Sequence, residues 1–561
     1  MTLASDVALA ALLLAALAAL AGAESKPAAD LVVTNARVWT GDAKRPEAEA
    51  LAVIGERIVA VGSLAEIEAW RGPETGLVDA EGRRVLPGFN DAHVHFFDGS
   101  AKLDQVQLKD ARSPEEFARR IGEQAKKLQT GEWVLGGTWD DQAFERPRLP
   151  TRADVDAATP ETPVFVDRYD GHMALANSLA LKLAGITRET PAPAGGEIVR
   201  DASGEPTGVL KDAAMSLVYR VVPPPSRESR LRTLREGLRH AASLGVTSVQ
   251  DMTTSGPELA AYAELLERGE LTVRLSAAPL ETRFEELAAL GLRRAFGSPW
   301  LRVGAVKGFA DGSLGSTTAY FEAPYTDAPQ TSGLLSDEMH PLEAMRERLV
   351  KADAAGLQLC IHAIGDRAIS IVLGLFEDVQ KANGARDRRF RVEHSQHLAP
   401  NDFARYAALG VIASVQPYHA IDDGRWAELR IGPERSKTTY AFRSFLDAGV
   451  RLALGTDWYV APLDPMQTLY AAVTRATLDG RRPSGWVPEQ KITLAEALAA
   501  YTAGSAYAEF QEHDKGRLVP GQLADLVILG EDVLAVPAER IKDVKVETTI
   551  VGGRVVYRRS P

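Results

Sequence analysis

At 561 residues the chain exceeds what one hydrophobic core organises, so more than one domain is expected. Charged residues at 25% and hydrophobic residues at 45% are ordinary for a globular protein. A formal net charge of −12 with no long basic stretch argues against nucleic acid as a partner, and the single Cys360 excludes an intrachain disulfide.

From Val7 to Ala23 the chain carries no charge and is almost entirely Ala and Leu; Ala21-Gly22-Ala23 then has the small-x-small form of a cleavage site. Residues 1–23 read as a secretory signal peptide, which makes the mature protein periplasmic or secreted. The opening residues hold Asp6 and no Lys or Arg, and the alternative is an uncleaved N-terminal anchor, since about 17 apolar residues approach the lower bound for a span. No later segment is long and apolar enough to cross a bilayer, so no membrane association is expected after cleavage.

Residues 30–86 give short strand patterns, with Gly55-Glu56 as a tight hairpin turn, and residues 510–558 repeat the pattern around Gly552-Gly553. Neither piece is large enough for a secure core, so the two termini are expected to pair into one composite β-sandwich. Between them, apolar strands alternate with helical stretches over 87–100 and 241–509. After a strand ending in His93-Val94-His95 come Val246–Met252, Val273–Leu280, Val303–Phe309, Leu357–Ile364, Phe390–His397, Val411–Tyr418 and Leu452–Asp457. Eight strands alternating with helices predict an α/β fold, a (β/α)8 TIM-like barrel. The long separation of the first two strands marks residues 101–240 as an α/β insertion after barrel strand one, read as a cap subdomain.

Barrel active sites form at the C-terminal ends of strands. In this chain those ends carry His93 and His95, Lys307, His362, His394 and Asp457. On an extended strand residues i and i+2 share a face, so His93 and His95 reach one ion together. Singly each has an ordinary reading, Lys307 as a snorkelling or ion-paired lysine and Asp457 as a helix N-cap; jointly, five strand ends would have to coincide. An imidazole and carboxylate set of this kind suits Zn²⁺ or a related divalent ion. Asp311, in a turn with Gly312 and Gly315, is a candidate for the pocket floor, and Trp139 and Trp458 for an apolar pocket wall. His397 and His419 are assigned structural roles.

The chain resembles the amidohydrolase superfamily, and within it amidohydrolase family 3, the YtcJ-like group that includes N-substituted formamide deformylase. The matching motifs are Leu86–His95, Arg168-Tyr169-Asp170-Gly171-His172 with Asn177-Ser178, Pro206-Thr207-Gly208, Lys307–Thr318, His362–Arg367, Glu393–His394, Gln416-Pro417 and Gly455–Asp457, across about residues 30–558. The resemblance implies a distorted (β/α)8 TIM-like barrel and a centre of one or two ions, with Lys307 carboxylated to a carbamate that bridges two of them. It also implies that His172 faces substrate. Its metal ligands would be His93, His95, Lys307, His362, His394 and Asp457, with Asp457 also the catalytic base. Where the family carries Ser-Asp-x-Pro, this chain has Thr456-Asp457-Trp458-Tyr459, which suggests an aromatic or narrow apolar leaving group; the family Glu after Pro-Thr-Gly-x-Leu-x is Asp212. The expected activity is metal-dependent hydrolysis of a linear or cyclic amide or imide, an N-acyl or an N-formyl compound. Ester or lactone hydrolysis on the same centre is the alternative, and a non-catalytic binding or regulatory protein that kept the fold is a second. The partner expected is a small-molecule substrate, with a homodimer left open.

Overall fold

The two ends of the chain meet in one sheet: Leu526–Leu529 runs antiparallel to Arg84–Pro87, with Val527 opposite Leu86. The computed structural model that shows this describes residues 27–560 except 169–172, 194–195 and 316, so the segment read as a signal peptide lies outside the described residues. Strand order in that six-stranded sheet is Arg554–Arg558, Val546–Val551, Leu526–Leu529, Arg84–Pro87, Arg37–Trp39, Glu47–Ala48. A four-stranded sheet of Arg57–Gly62, Ala50–Ile54, Leu31–Thr34 and Gly76–Asp79 shares its core, where Val38, Leu51, Val53, Ile58, Leu526 and Ile550 are buried together. The last hairpin turns on Gly552 and Gly553, both at positive φ (55° and 72°), a conformation glycine adopts without a Cβ clash. This is the composite sandwich expected from both termini.

The chain divides into two compact units. One holds the described residues up to Val94, Arg239–Ser255 and everything from Leu271; the other holds His95–Leu238 and Gly256–Glu270.

In the first unit the barrel strands lie in chain order as two five-stranded sheets. The first sheet pairs Phe89–Val94, Val246–Met252, Arg274–Ala278 and Leu301–Val303 in parallel, with Phe296–Gly297 antiparallel at its edge. The second is wholly parallel: Ala305–Phe309, Gln358–Ala363, Arg391–His394, Ile412–Val415 and Leu452–Leu454. Isolated bridges mark both seams, Leu280 to Lys307 and Val94 to Trp458. The result is a distorted barrel arrangement. Its fourth strand, expected as one run over Val303–Phe309, is broken at Gly304 (φ 151°), where a Cβ would collide with backbone at Arg293 and Arg294. The residues before the break extend the first sheet and those after it open the second. Leu342–Ala354, Asp366–Asn383 and Asp402–Leu409 form helices between strands as their 3.6-residue spacing predicts. A helix over Phe284–Ala289 stops just ahead of Gly291.

Arg274, on the third barrel strand, is 1% exposed and forms a two-pronged ion pair with Asp525, at 2.7 and 3.0 Å, with its guanidinium 4.3 Å above Trp300. Arg274→Met should lower stability by about 3–5 kcal/mol, because it strands a buried carboxylate. Urea unfolding monitored by tryptophan fluorescence checks this, and a change under about 1 kcal/mol would contradict it.

The second unit is built on a six-stranded mixed sheet, in the order Gly196–Arg200, Pro206–Asp212, Met173–Ala176, Val164–Arg168, Val134–Trp139, Val106–Gln107. It is the α/β insertion after barrel strand one. Trp139 is fully buried in its core, edge-on to Phe117, and its indole N–H donates to Val166 O at 2.8 Å. The expectation that Trp139 lines a substrate pocket is corrected: with no exposed surface and its one donor satisfied, the ring is core. His172 lies outside the described residues.

Candidate metal centre

Strand one delivers His93 to a wholly buried position, and its surroundings fix which nitrogen faces inward. Nδ1–H donates to Glu393 Oε2 at 2.7 Å, leaving Nε2 3.5 Å from both Lys307 Nζ and Asp457 Oδ1. Burial works to raise the Glu393 carboxyl, but the Arg391 guanidinium and the His93 bond outweigh it and hold the group far below the usual carboxylate range. Glu393 is therefore an acceptor, and His93 is held in the tautomer whose Nε2 lone pair faces Lys307 and Asp457.

Asp91 links the ends of strands one and eight. It accepts from His93 N (3.1 Å), Thr456 N (3.0 Å), Thr456 Oγ1 (2.8 Å) and Tyr501 OH (2.9 Å). Burial pushes Asp91 up to about 7 against the pull of these donors. Gly455 lets the two strands approach, since a Cβ there would lie 2.6 Å from His93 N. Asp457 follows in the left-handed region (φ 60°), its N–H donating to His93 O at 2.7 Å.

Strand six ends in His394, also left-handed (φ 75°). Its Nδ1–H donates to Gln416 Oε1 at 2.9 Å, which turns Nε2 away from that bond, and its ring centroid stands 4.8 Å from that of His93. His362, from strand five, lies 4.5 Å from His394 by ring centroid, with Nε2 3.0 Å from Gly312 O. Burial, then the neighbouring Lys307, depresses His93 to about 4 and His362 to about 3, and burial with the adjacent imidazoles drives His394 well below its ordinary value. All three rings stay neutral near pH 7. Lys307 is fully buried and its ammonium is disfavoured by that burial. Among the described residues no carboxylate oxygen lies within ion-pair distance of it.

His95 is the first residue beyond Val94 and half-buried. It lies two residues from His93 along the backbone. His394, His419 and Asp457 each offer one ligand atom, all within 4.8 Å of one another. His419 was assigned a structural role from sequence, yet its Nε2 is 3.9 Å from Asp457 Oδ2. That nitrogen is buried without a hydrogen-bond partner among the described residues. Neutral imidazoles with fixed tautomers, a carboxylate and an orphaned ring nitrogen fit a divalent ion.

Two other expectations resolve differently. Asp311 accepts from the backbone N–H groups of Tyr320, Ile364 and Gly365 at 2.8–2.9 Å, so its carboxylate staples loops together and is not open to a substrate. Burial pushes it up to about 7 despite those donors. Trp458 is nearly buried beside Asp457, its ring 5.6 Å from that of His240, while neighbouring Tyr459 is 45% exposed.

His397 is buried with Nδ1 2.9 Å from Thr439 Oγ1, as its structural reading expects, and burial lowers it to about 3. It binds no proton in the folded state at pH 5, whereas the unfolded chain does below about 6.5, so this residue removes stability as pH falls through that window. Between pH 6 and 5, His397→Gln should reduce the slope of unfolding free energy against pH by roughly 1 kcal/mol per unit. Identical slopes for the two proteins in urea titrations would contradict this.

The sequence pattern described as the amidohydrolase family matches residues 76–557. The chain belongs to that family. Among similar family proteins, LONG AFTER FAR-RED 3 of Arabidopsis thaliana is 40% identical, over 94% of this chain and 92% of its own. The N-substituted formamide deformylase of Arthrobacter pascens is 29% identical, over 95% and 99%. A crystal structure of an uncharacterized metal-dependent hydrolase from Pyrococcus horikoshii OT3 superposes with a TM-score of 0.75 at 30% identity, covering 91% of this chain and 99% of that one. Membership of the amidohydrolase family, together with a metal-dependent hydrolase as structural neighbour, supports a hydrolase. The convergence of histidines and Asp457 supports a metal site within it.

Proposed function

We propose that this amidohydrolase cleaves a non-peptide C–N bond, a linear or cyclic amide, imide, N-acyl or N-formyl compound, by metal-assisted attack of water. The observation that carries the reading is the meeting of neutral, buried imidazoles from strands one and six with the Asp457 carboxylate, where His93 Nε2 lies 3.5 Å from Asp457 Oδ1 and the rings of His93 and His394 are 4.8 Å apart. Leaving such polar groups buried without a ligand is costly, which favours a working centre over a binding protein that merely kept the fold. His93, His95, His394 and Asp457 are the residues that would hold the ion, with Lys307 beside them. A divalent ion there lowers the pKa of water toward neutrality and polarises the scissile carbonyl. Asp457 accepts the proton of the attacking water and delivers it to the leaving nitrogen. Glu393 and Gln416 keep His93 and His394 in the tautomers that face the centre. Similarity to an N-substituted formamide deformylase favours nitrogen over oxygen leaving groups.

The test is a panel of formamides, N-acyl amines, cyclic imides and matched esters, assayed before and after chelation and re-addition of Zn²⁺. Chelator-sensitive turnover of nitrogen substrates is expected. Faster turnover of esters would replace the reading with its oxygen counterpart, and metal-independent turnover would reject it.

Carboxylation of Lys307 is part of the same proposal, since a buried neutral amine can take up CO2 and become an anionic ligand. Reconstitution without bicarbonate should then lower bound metal at least several-fold, measured by elemental analysis, and Lys307→Met should remove that dependence. Equal metal uptake with and without bicarbonate would exclude the carbamate. Export after loss of residues 1–23 is proposed with it, and N-terminal sequencing of the mature protein starting at Glu24 is the expected result.

A further inference from the structure

Strand two, Val246–Met252, carries none of the candidate ligands, yet its buried Gln250 reaches from the first sheet to Arg391 on the second. Gln250 Oε1 accepts from Arg391 Nη1, and Nε2 donates to Ser505 O at 2.9 Å and to Asn90 Oδ1 at 3.4 Å. The two ends of this amide are not interchangeable, since a guanidinium has no acceptor to offer and a backbone carbonyl has no donor. The ordering continues toward the N-terminal ends of the strands. Asn90 Nδ2 donates to Glu509 Oε1 at 2.7 Å. Lys515 Nζ lies 2.8 Å from the same oxygen and donates to Ser248 Oγ at 2.8 Å. All of these side chains are buried. Two amides thus stand in series between two ion pairs, Lys515 with Glu509 and Arg391 with Glu393.

What the series fixes is the pose of Arg391. Among the described residues Gln250 Oε1 is the acceptor for Nη1, while Nη2 donates to Ala92 O at 2.6 Å, Ser414 Oγ at 3.0 Å and Glu393 Oε2 at 3.1 Å. With Nη1 held on the Gln250 side, the guanidinium meets Glu393 by its Nε and Nη2 edge. Glu393 Oε2 then keeps its 2.7 Å bond to His93 Nδ1. Without Gln250, Nη1 becomes a buried donor with no acceptor, which is a costly state. Turning both Nη atoms onto Glu393 relieves it, and that turn draws Oε2 off the imidazole.

We propose that Gln250 is a positioning residue of the metal centre. It sets the edge by which Arg391 grips Glu393, and through that pair it keeps the proton of His93 on Nδ1 and the lone pair on Nε2. The proposal rests on the metal-dependent reading and goes beyond it by giving strand two a part in the centre.

The full chain, stripped of metal and carrying isotope-labelled histidine, gives the first readout by NMR: the Nδ1 proton that His93 shares with Glu393, identified by its loss in His93→Asn. In Gln250→Met this signal should move or broaden into exchange with water. In Arg274→Met, which also strands a buried carboxylate, it should stay where it is. Competition with a chelator gives the second readout: Gln250→Met should hold Zn²⁺ about tenfold or more weakly, with Arg274→Met unchanged. Gln250→Asn keeps an amide but falls one methylene short of Arg391, so it should show both effects in the same direction, and it decides the matter where Gln250→Met does not fold. An unmoved His93 signal with affinity within about twofold of the unaltered protein would overturn the assignment. Equal losses in Arg274→Met would also overturn it, by making the effect one of stability alone. Failure of the unaltered chain to bind any divalent ion would reject the hydrolase reading, and the metal-free His93 signal would still decide the role of Gln250.

Discussion

Asp457→Asn, assayed at saturating metal, is expected to fold normally and to lose about 10²–10⁴-fold in kcat with little change in KM. The substitution keeps the shape of the side chain and one amide oxygen. It also suits the backbone, because Asp457 sits at φ 60°, a left-handed conformation that asparagine adopts as readily as aspartate. The N–H bond from residue 457 to His93 O does not involve the side chain and survives. What disappears is the capacity to accept a proton. An interaction used only in the transition state lowers kcat and kcat/KM together, whereas loss of ground-state binding raises KM alone. Elemental analysis of the same sample separates a missing base from a missing ion. Turnover within tenfold of the unaltered protein at full metal occupancy would remove Asp457 from the role of base.

Much of this architecture is legible in the chain because parallel strands buried on both faces announce themselves as apolar runs, and the turns after them are short. The order His93, Lys307, His362, His394, Asp457 follows from those runs alone. The break at Gly304 is not legible, since nothing in Val303-Gly304-Ala305 says that the backbone must change sheets there; the reason is a close approach to residues 293–294 in space. Trp139 looked like a pocket residue because an aromatic near a strand end can face either way, and only the packing of Phe117 against it decides. The left-handed backbone at His394 and Asp457 aims two side chains that a strand pattern would point elsewhere. His419 was missed for a related reason. Its place depends on a helix folding back after strand seven, and the signal was present only as its spacing of three from Gln416. Glu393 stood beside a recognised ligand, but its bond to His93 spans 300 positions and cannot be read from either neighbourhood.

Glu393→Gln is expected to lower stability by about 3–5 kcal/mol and to weaken metal retention by about 10–100-fold. Both effects come from one carboxylate with two obligations. Its Oε1 lies 2.7 Å from Arg391 Nε, and Oε2 accepts from Arg391 Nη2 at 3.1 Å and His93 Nδ1 at 2.7 Å, with all three side chains at most 1% exposed. Glutamine leaves the Arg391 charge buried without its counter-ion, and burying an unpaired charge is the expensive outcome. Arg391 keeps its bonds to Ala92 O and Ser414 Oγ, which hold the guanidinium in place and prevent it from escaping to water. The amide can also turn its NH2 toward His93, which would force Nδ1 to accept and put a proton on Nε2, the nitrogen facing Asp457. The double variant Arg391→Met/Glu393→Leu separates the two obligations. Removing both charges together should restore most of the stability, since an apolar pair can replace a buried ion pair at little net cost. It should not restore metal affinity, because His93 would still lack the acceptor that fixes its tautomer. Urea unfolding of the metal-free proteins reads the first effect and competition with a chelator reads the second. If the double variant recovers both, Glu393 acts only through Arg391; if the single variant loses neither, the carboxylate plays no part in holding His93.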